Sequence, residues 1–209
     1  MPNIKKGIMN KTIIEIGAKD GHDTATFLQD PGNIVYSFEP TPALVVNLQN
    51  KFKFNSNWNL IPAAVDLTNG FKQFNIAGVE DWGCSSLFEF KEDRYEHWPG
   101  RNLQITDIAR VMTLRLDTFM EMYGIGEVEY LWIDAQGNDF NVLRSLGDKI
   151  TNIKRGKCET AYKADLYKNT DNRTEDVVKW LEERGFRCFI ELECHTGNEA
   201  DVHFERIIK

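Results

Sequence analysis

The chain has 209 residues, 42% of them hydrophobic and 27% charged, which suits one globular domain with its own core. A net charge of −7, with no basic run beyond Lys5-Lys6, argues against a nucleic-acid partner. The four cysteines form no C-x-x-C pair, and no apolar stretch approaches a membrane helix or a secretion leader, so zinc, a disulfide framework and a membrane partner are not expected and the chain reads as cytoplasmic.

In chain order, strand and helix signals alternate. Thr12 to Ile16 is a β-branched run closed by Gly17 and predicts a buried strand. Asp23 to Gln29 predicts a helix, Asn33 to Phe38 a strand, and Pro42 to Lys53 a helix with Leu44, Val45 and Leu48 on one face. Trp58 to Val65 reads as one strand interrupted by Pro62. Phe71 to Ile76 alternates apolar and polar residues, as an exposed or edge strand does. Residues 78–100 are polar and aromatic with few regular signals, which predicts a long loop or lid carrying Trp82, Phe88, Tyr95 and Trp98. These aromatics either cap a substrate or form a satellite core.

Arg110 to Leu114 predicts a strand and Leu116 to Tyr123 a helix. Val128 to Ile133 is a strand, Asp139 to Leu146 a helix, and Ile153 to Glu159 a strand. Thr174 to Arg184 is a helix capped by Thr174 and ended by Gly185. Phe186 to Leu192 and Val202 to Ile208 predict a closing antiparallel hairpin. The order implies an α/β fold: one Rossmann-like, doubly wound, mostly parallel sheet over residues 1–209, without repeat or linker.

Ligands of such sheets bind beyond the carboxyl ends of the strands. Three polar groups fall there. The first is Glu15-Ile16-Gly17-Ala18-Lys19-Asp20-Gly21, where Gly17 and Gly21 bracket a turn and let backbone approach a ligand. It lacks the middle glycine of a dinucleotide fingerprint. The carboxylates of Glu15 and Asp20 suit the ammonium and sulfonium of S-adenosylmethionine better than a pyrophosphate. The second is Glu39, 22 residues after Gly17 and able to accept hydrogen bonds from two ribose hydroxyls. The third is Asp134, which can hold an amino group, orient a hydroxyl, bind a metal, or cap the next helix, a role open to Asn138 as well. An NAD-linked oxidoreductase and a noncatalytic module of the same fold are the competing readings.

These residues resemble the FkbM-type methyltransferases. The motifs are Glu15 to Gly21, Phe38-Glu39-Pro40, Ala63-Ala64-Val65, Gly83-Cys84-Ser85-Ser86, Leu116-Asp117 and Asp134 to Asp139, in the family's order over about residues 12 to 160. Glu15, Lys19, Gln136 and Asp139 stand where the family pattern has Asp, Asn, Glu and Glu. Lys19 thereby sets a cation near a cationic cofactor, and Gln136 has no charge with which to act as acid, base or ligand. The resemblance implies methyl transfer from S-adenosylmethionine to a hydroxyl of a small molecule or glycan. It implies that Gly17, Ala18 and Gly21 approach the amino-acid end of the cofactor. It also puts Glu39 at the ribose, Ala64 and Val65 beside the adenine, and Ser85 and Ser86 near cofactor or substrate. An alcohol acceptor needs a proton acceptor. Asp134, Glu159 and His195, at the ends of predicted strands, are the candidates.

Overall fold

A computed structural model describes residues 10–78, 83–192 and 196–207. Its seven-stranded sheet is built from β1 (Lys11–Ile16), β2 (Asn33–Phe38), β3 (Trp58–Ile61), β7 (Tyr130–Ile133), β8 (Arg155–Ala161), β9 (Phe186–Leu192) and β10 (Glu199–Arg206). The spatial order is β3-β2-β1-β7-β8-β10-β9. Strands β3, β2, β1, β7 and β8 run parallel, and β10 runs antiparallel to both β8 and β9. β1 is buried over Ile13–Ile16, as a central parallel strand covered on both faces must be. Because β2 pairs on one side of β1 and β7 on the other, the strand order reverses there and opens a crevice beyond their carboxyl ends.

The main core lies on one face of this sheet. Ile14, Ile16, Phe38, Leu131, Ile133, Cys158 and Val202 meet side chains of α4 (Leu116–Met122), α5 (Asp139–Arg144) and α6 (Thr174–Glu182). Phe38 and Phe119 pack edge to face with ring centroids 4.8 Å apart, a favourable aromatic geometry. A second cluster joins Ala18 to Leu48 and Phe52 of α2 (Pro42–Phe52), with Leu28, Trp58 and Leu60 beside it. α1 (His22–Phe27) follows the first loop.

The segment from Trp58 to Val65 is two strands in two sheets. Pro62 has no N–H for a ladder, and the register with β2 stops at Ile61. β4 (Ala64–Val65) then joins a three-stranded sheet with β6 (Ile105–Leu114) and β5 (Gly70–Ala77), in the order β4-β6-β5. β6 extends five residues before Arg110, because the polar stretch there pairs with β5. Residues 83–100 include a short α-helix, α3 (Arg94–His97). Trp98 and Phe90 join Cys84, Leu103, Leu166 and Tyr167 in a satellite cluster with Phe88 against it, whereas Tyr95 is exposed. Trp82 lies outside the described residues.

Thr174 does not cap α6. Arg173 is the cap residue, and the Thr174 hydroxyl instead lies 2.8 Å from that of Thr160 and donates to the Ala161 carbonyl at 3.1 Å. Asn138 occupies the cap position of α5 without a side-chain capping bond. Its amide donates to the Val65 carbonyl at 2.8 Å, tying the β7 loop to β4.

Candidate active site

Two adjoining pockets open beyond the carboxyl ends of β1, β2 and β7. The first, with about 570 Å³ of space including its open side, has apolar walls of Phe38, Leu44, Ala63, Val65, Phe74 and Leu87. Its polar edge carries Gly17, Lys19, Glu39, Ser85, Asp134 and Gln136, and Ala64 also lines it. The second pocket is more polar. Trp98, Arg101, Glu159 and Glu199 line it, and it shares Lys19, Gly83, Asp134 and Gln136 with the first.

The first loop is shaped by backbone geometry. Gly17 has φ +87°, and the N–H groups of Gly17 and Ala18 both donate to the Phe38 carbonyl, at 3.0 and 2.9 Å. A Cβ on Gly17 would stand 2.1 Å from the Asp134 carbonyl oxygen, so only glycine lets the β1 and β7 loops touch. Gly21, at φ +75°, is special for another reason. A Cβ there would meet Phe52 at 2.5 Å and Leu48 at 2.8 Å, so its bareness serves the packing of α2. Neither Gly21 nor Ala18 lines the cleft.

Glu15 also stands away from it. Its carboxylate is buried and accepts from the hydroxyls of Thr24 at 2.5 Å and Ser37 at 2.6 Å. Burial pushes this carboxyl above its ordinary pKa, and the two hydroxyls oppose the shift.

Glu39 faces the cleft at the end of β2. Its two oxygens accept the backbone N–H groups of Lys19 at 2.8 Å and Thr41 at 2.7 Å. A carboxylate offers about four lone-pair sites, so acceptor capacity remains on each oxygen for a vicinal diol. Burial raises its pKa, against the hydrogen bonds from Thr41 and Lys19. Apolar walls for a flat ring, an acid for a diol and a bare backbone at Gly17 match the chemistry of an adenosyl group.

Asp134 lines both pockets. The Gln136 amide donates to Asp134 Oδ1 at 2.5 Å and to Glu159 Oε2 at 3.1 Å, bridging the two carboxyls. Both are pushed up by burial. For Asp134 the Gln136 amide and the ammonium groups of Lys157 and Lys19 oppose the shift, whereas Glu159 is pushed well up with further help from Asp134, Glu199, Asp139 and Asp201. Asp139 is buried, with Oδ1 accepting from the Ala135 and Glu159 N–H groups and Oδ2 lacking a partner. Among the described residues no group of three or more His, Cys, Asp or Glu side chains is arranged to hold a metal ion.

Ser85 lines the cleft and its hydroxyl accepts from the Ala77 N–H at 3.0 Å. The Ser86 hydroxyl turns away from open space and donates to the Gln136 carbonyl at 2.7 Å. His195 lies outside the described residues. Trp98, one of the loop aromatics expected to cap a substrate or form a satellite core, lines the second pocket and packs in the satellite cluster, whereas nothing in the sequence marks Thr41, Leu44, Phe74 or Arg101 as site residues. Tertiary contact alone brings them here, although the β-strand alternation of Phe74 placed it on one face of its strand.

The family described as "Methyltransferase FkbM domain" matches residues 15–188. A curated relative, 2-O-methyltransferase NoeI of Sinorhizobium fredii, is 22% identical over 147 residues, covering 68% of this chain and 60% of its own. The chain thus spans about 60% of the length of that relative. Among solved structures, an rRNA methylase from Streptococcus thermophilus has TM-score 0.52 at 11% identity, with 96% of this chain and 89% of the other covered. SMU.1697c of Streptococcus mutans, in complex with SAH, has TM-score 0.52 at 10% identity, with 95% and 89% covered. At these identities the structural likeness establishes the fold.

Proposed function

The chain belongs to the FkbM methyltransferase family, whose cofactor is S-adenosylmethionine, and from that premise we propose that it methylates a hydroxyl group of a small molecule or sugar. When bound, the cofactor supplies an activated methyl group on a sulfonium. The protein then has to hold it, align an acceptor oxygen and take up a proton. Glu39 accepts the ribose hydroxyls, Ala64 and Val65 flank the ring, and the backbone at Gly17 faces the amino-acid end.

The observation that carries this reading is the shared wall between the pockets. Asp134 and Gln136 border both the cleft that fits an adenosyl group and the polar pocket beside it. A hydroxyl seated in the second pocket therefore lies next to a carboxylate and to the cofactor's end of the first. Trp98 offers an aromatic surface and Arg101, Glu159 and Glu199 offer polar partners, a set suited to a polyhydroxylated acceptor. The name of NoeI, a 2-O-methyltransferase, supports oxygen as the target. Three carboxyls in the second pocket and a net charge of −7 oppose a phosphate backbone, which favours a small acceptor over nucleic acid. The missing third glycine of the first loop disfavours the NAD-linked alternative.

The test is incubation of a cell extract with the protein and methyl-labelled S-adenosylmethionine, read by untargeted mass spectrometry. The expected product is a labelled methyl ether of low molecular mass. Label found only in RNA, or no protein-dependent label, would contradict the proposal.

A further inference from the structure

Gln136 sits in a left-handed backbone conformation, φ +51°, followed by Gly137 at φ +86°. Left-handed backbone is uncommon for a residue with a side chain and marks a position fixed by its surroundings. Here the surroundings are specific. Ser86 holds the Gln136 carbonyl at 2.7 Å. The Tyr167 hydroxyl stands 2.7 Å from Gln136 Oε1 and 2.9 Å from the Cys84 carbonyl, sharing its one proton between two acceptors. Tyr167 is buried, and a Cβ on Gly137 would lie 2.8 Å from its ring, so ring and loop are in direct contact. With Oε1 turned to the phenol, both amide hydrogens point at carboxyls. Among the described residues no other group donates to the side-chain oxygens of Asp134 or Glu159.

We propose that Gln136 is a positioning residue that splits the half-buried Asp134–Glu159 pair, placing one N–H on each so that Asp134 is the ionised proton acceptor for the acceptor hydroxyl and Glu159 keeps its proton. The proposal rests on the O-methyltransferase reading above. In the reaction the acceptor oxygen forms the new C–O bond. The S–C bond breaks with its electron pair left on sulfur, and the hydroxyl proton passes to the Asp134 carboxylate. Two adjacent, half-buried carboxyls do not both ionise readily, so the surroundings decide which one does. Asp134 feels Lys19 from the β1 loop and Lys157 from β8, with Asp201 of β10, Glu39 at the end of β2, Asp139 of α5 and Glu159 itself opposing. Glu159 is pushed up by burial and by Asp134, Asp139 of α5, and Glu199 and Asp201 of β10, with Lys19 and Arg101 sharing the second pocket and Lys157 lining the small cavity beside it. Tyr167 completes the wall as a neutral phenol, its pKa raised well up by burial. A family-type glutamate at position 136 would add a third acid and remove both donors.

The experiment is carbon-13 NMR of protein labelled at Asp and Glu carboxyls, titrated with pH and assigned with Asp134→Asn and Glu159→Gln. In the unaltered protein Asp134 is expected to lose its proton at least about one pH unit before Glu159. In Gln136→Leu the Asp134 midpoint is expected to rise by about one unit or more. If Gln136→Leu does not fold, Tyr167→Phe releases the amide without touching either carboxyl and is expected to move the midpoint in the same direction. An Asp134 midpoint unmoved in a folded variant, or Glu159 ionising first in the unaltered protein, overturns the proposal. Binding of S-adenosylhomocysteine to the unaltered protein, followed by calorimetry, separates the two failures. Its absence defeats the methyltransferase reading, whereas a fixed titration with binding intact defeats only the role of Gln136.

Discussion

Gly17→Ala probes how the β1 and β7 loops are held together. Two costs follow from the structure. The φ of +87° is a left-handed value, worth roughly 1–2 kcal/mol for an L-residue with a side chain. The new Cβ would also lie 2.1 Å from the Asp134 carbonyl oxygen, a backbone atom that cannot rotate away. Forcing such an overlap typically costs about 1–3 kcal/mol. The sum runs from about 2 to 5 kcal/mol and centres near 3.5, which lowers Tm by roughly 7–14 °C for a chain of this size. Gly124, at φ +63° with nothing within 4 Å of its built Cβ, isolates the conformational part. Gly124→Ala should therefore cost only about 1–2 kcal/mol. Urea unfolding of both variants measures the difference, and calorimetry with S-adenosylhomocysteine reports the cleft. Gly17→Ala should lose both stability and binding, and Gly124→Ala stability alone. Equal losses of stability, with binding intact in both, would refute the reasoning.

Asp139 tests the buried charge. Burial and Asp134 push its pKa well above 3.8, so the folded state holds a proton that the unfolded state releases. The resulting stability is complete below the unfolded pKa and lost as pH rises through the folded one. Asp139→Asn removes that dependence, so the variant should gain on the unaltered protein as pH rises from about 4, the ordinary Asp range, followed by urea unfolding. Parallel stability curves would count against it. Cys188, half-buried and pushed up to about 11 by burial, should resist iodoacetamide near pH 8, as peptide mapping would show. Rapid alkylation would contradict that environment. Ser37→Ala removes one of two hydroxyl donors to buried Glu15 and the acceptor of the Trp58 indole N–H at 3.0 Å. It should cost about 1–3 kcal/mol by thermal or urea unfolding, and a neutral effect would argue that water replaces the hydroxyl.

The main sheet was legible in the sequence because its strands carry local signals. β2 is the run Asn33–Phe38, and α2 begins at Pro42, as the composition of those segments dictates. The small sheet was not legible. β4 is two residues long and pairs with Thr113 and Leu114, some fifty positions away, and no local pattern encodes that partnership. Pro62 was visible as an interruption, but whether the chain resumed in the same sheet depended on β6. In the site, Gly17, Glu39 and Asp134 were found because strand ends mark ligand sites in such folds. Gly21 was recognised as a glycine that had to be bare, yet its reason lies in Phe52 and Leu48 on a helix thirty residues away. Gln136 was read as a charge lost. Its value as a two-hydrogen donor depends on Tyr167 and Glu159, which only the folded chain brings within reach.

Titration calorimetry of S-adenosylhomocysteine against the unaltered protein and Glu39→Ala, well below either Tm, addresses the cleft itself. Glu39 supplies the acidic acceptor in it, and hydrogen bonds to a charged group contribute about 1.5–3 kcal/mol. The account predicts saturable one-to-one binding that weakens at least about tenfold in Glu39→Ala. A folded protein that takes up no S-adenosylhomocysteine, or one whose Kd ignores the loss of Glu39, would contradict it.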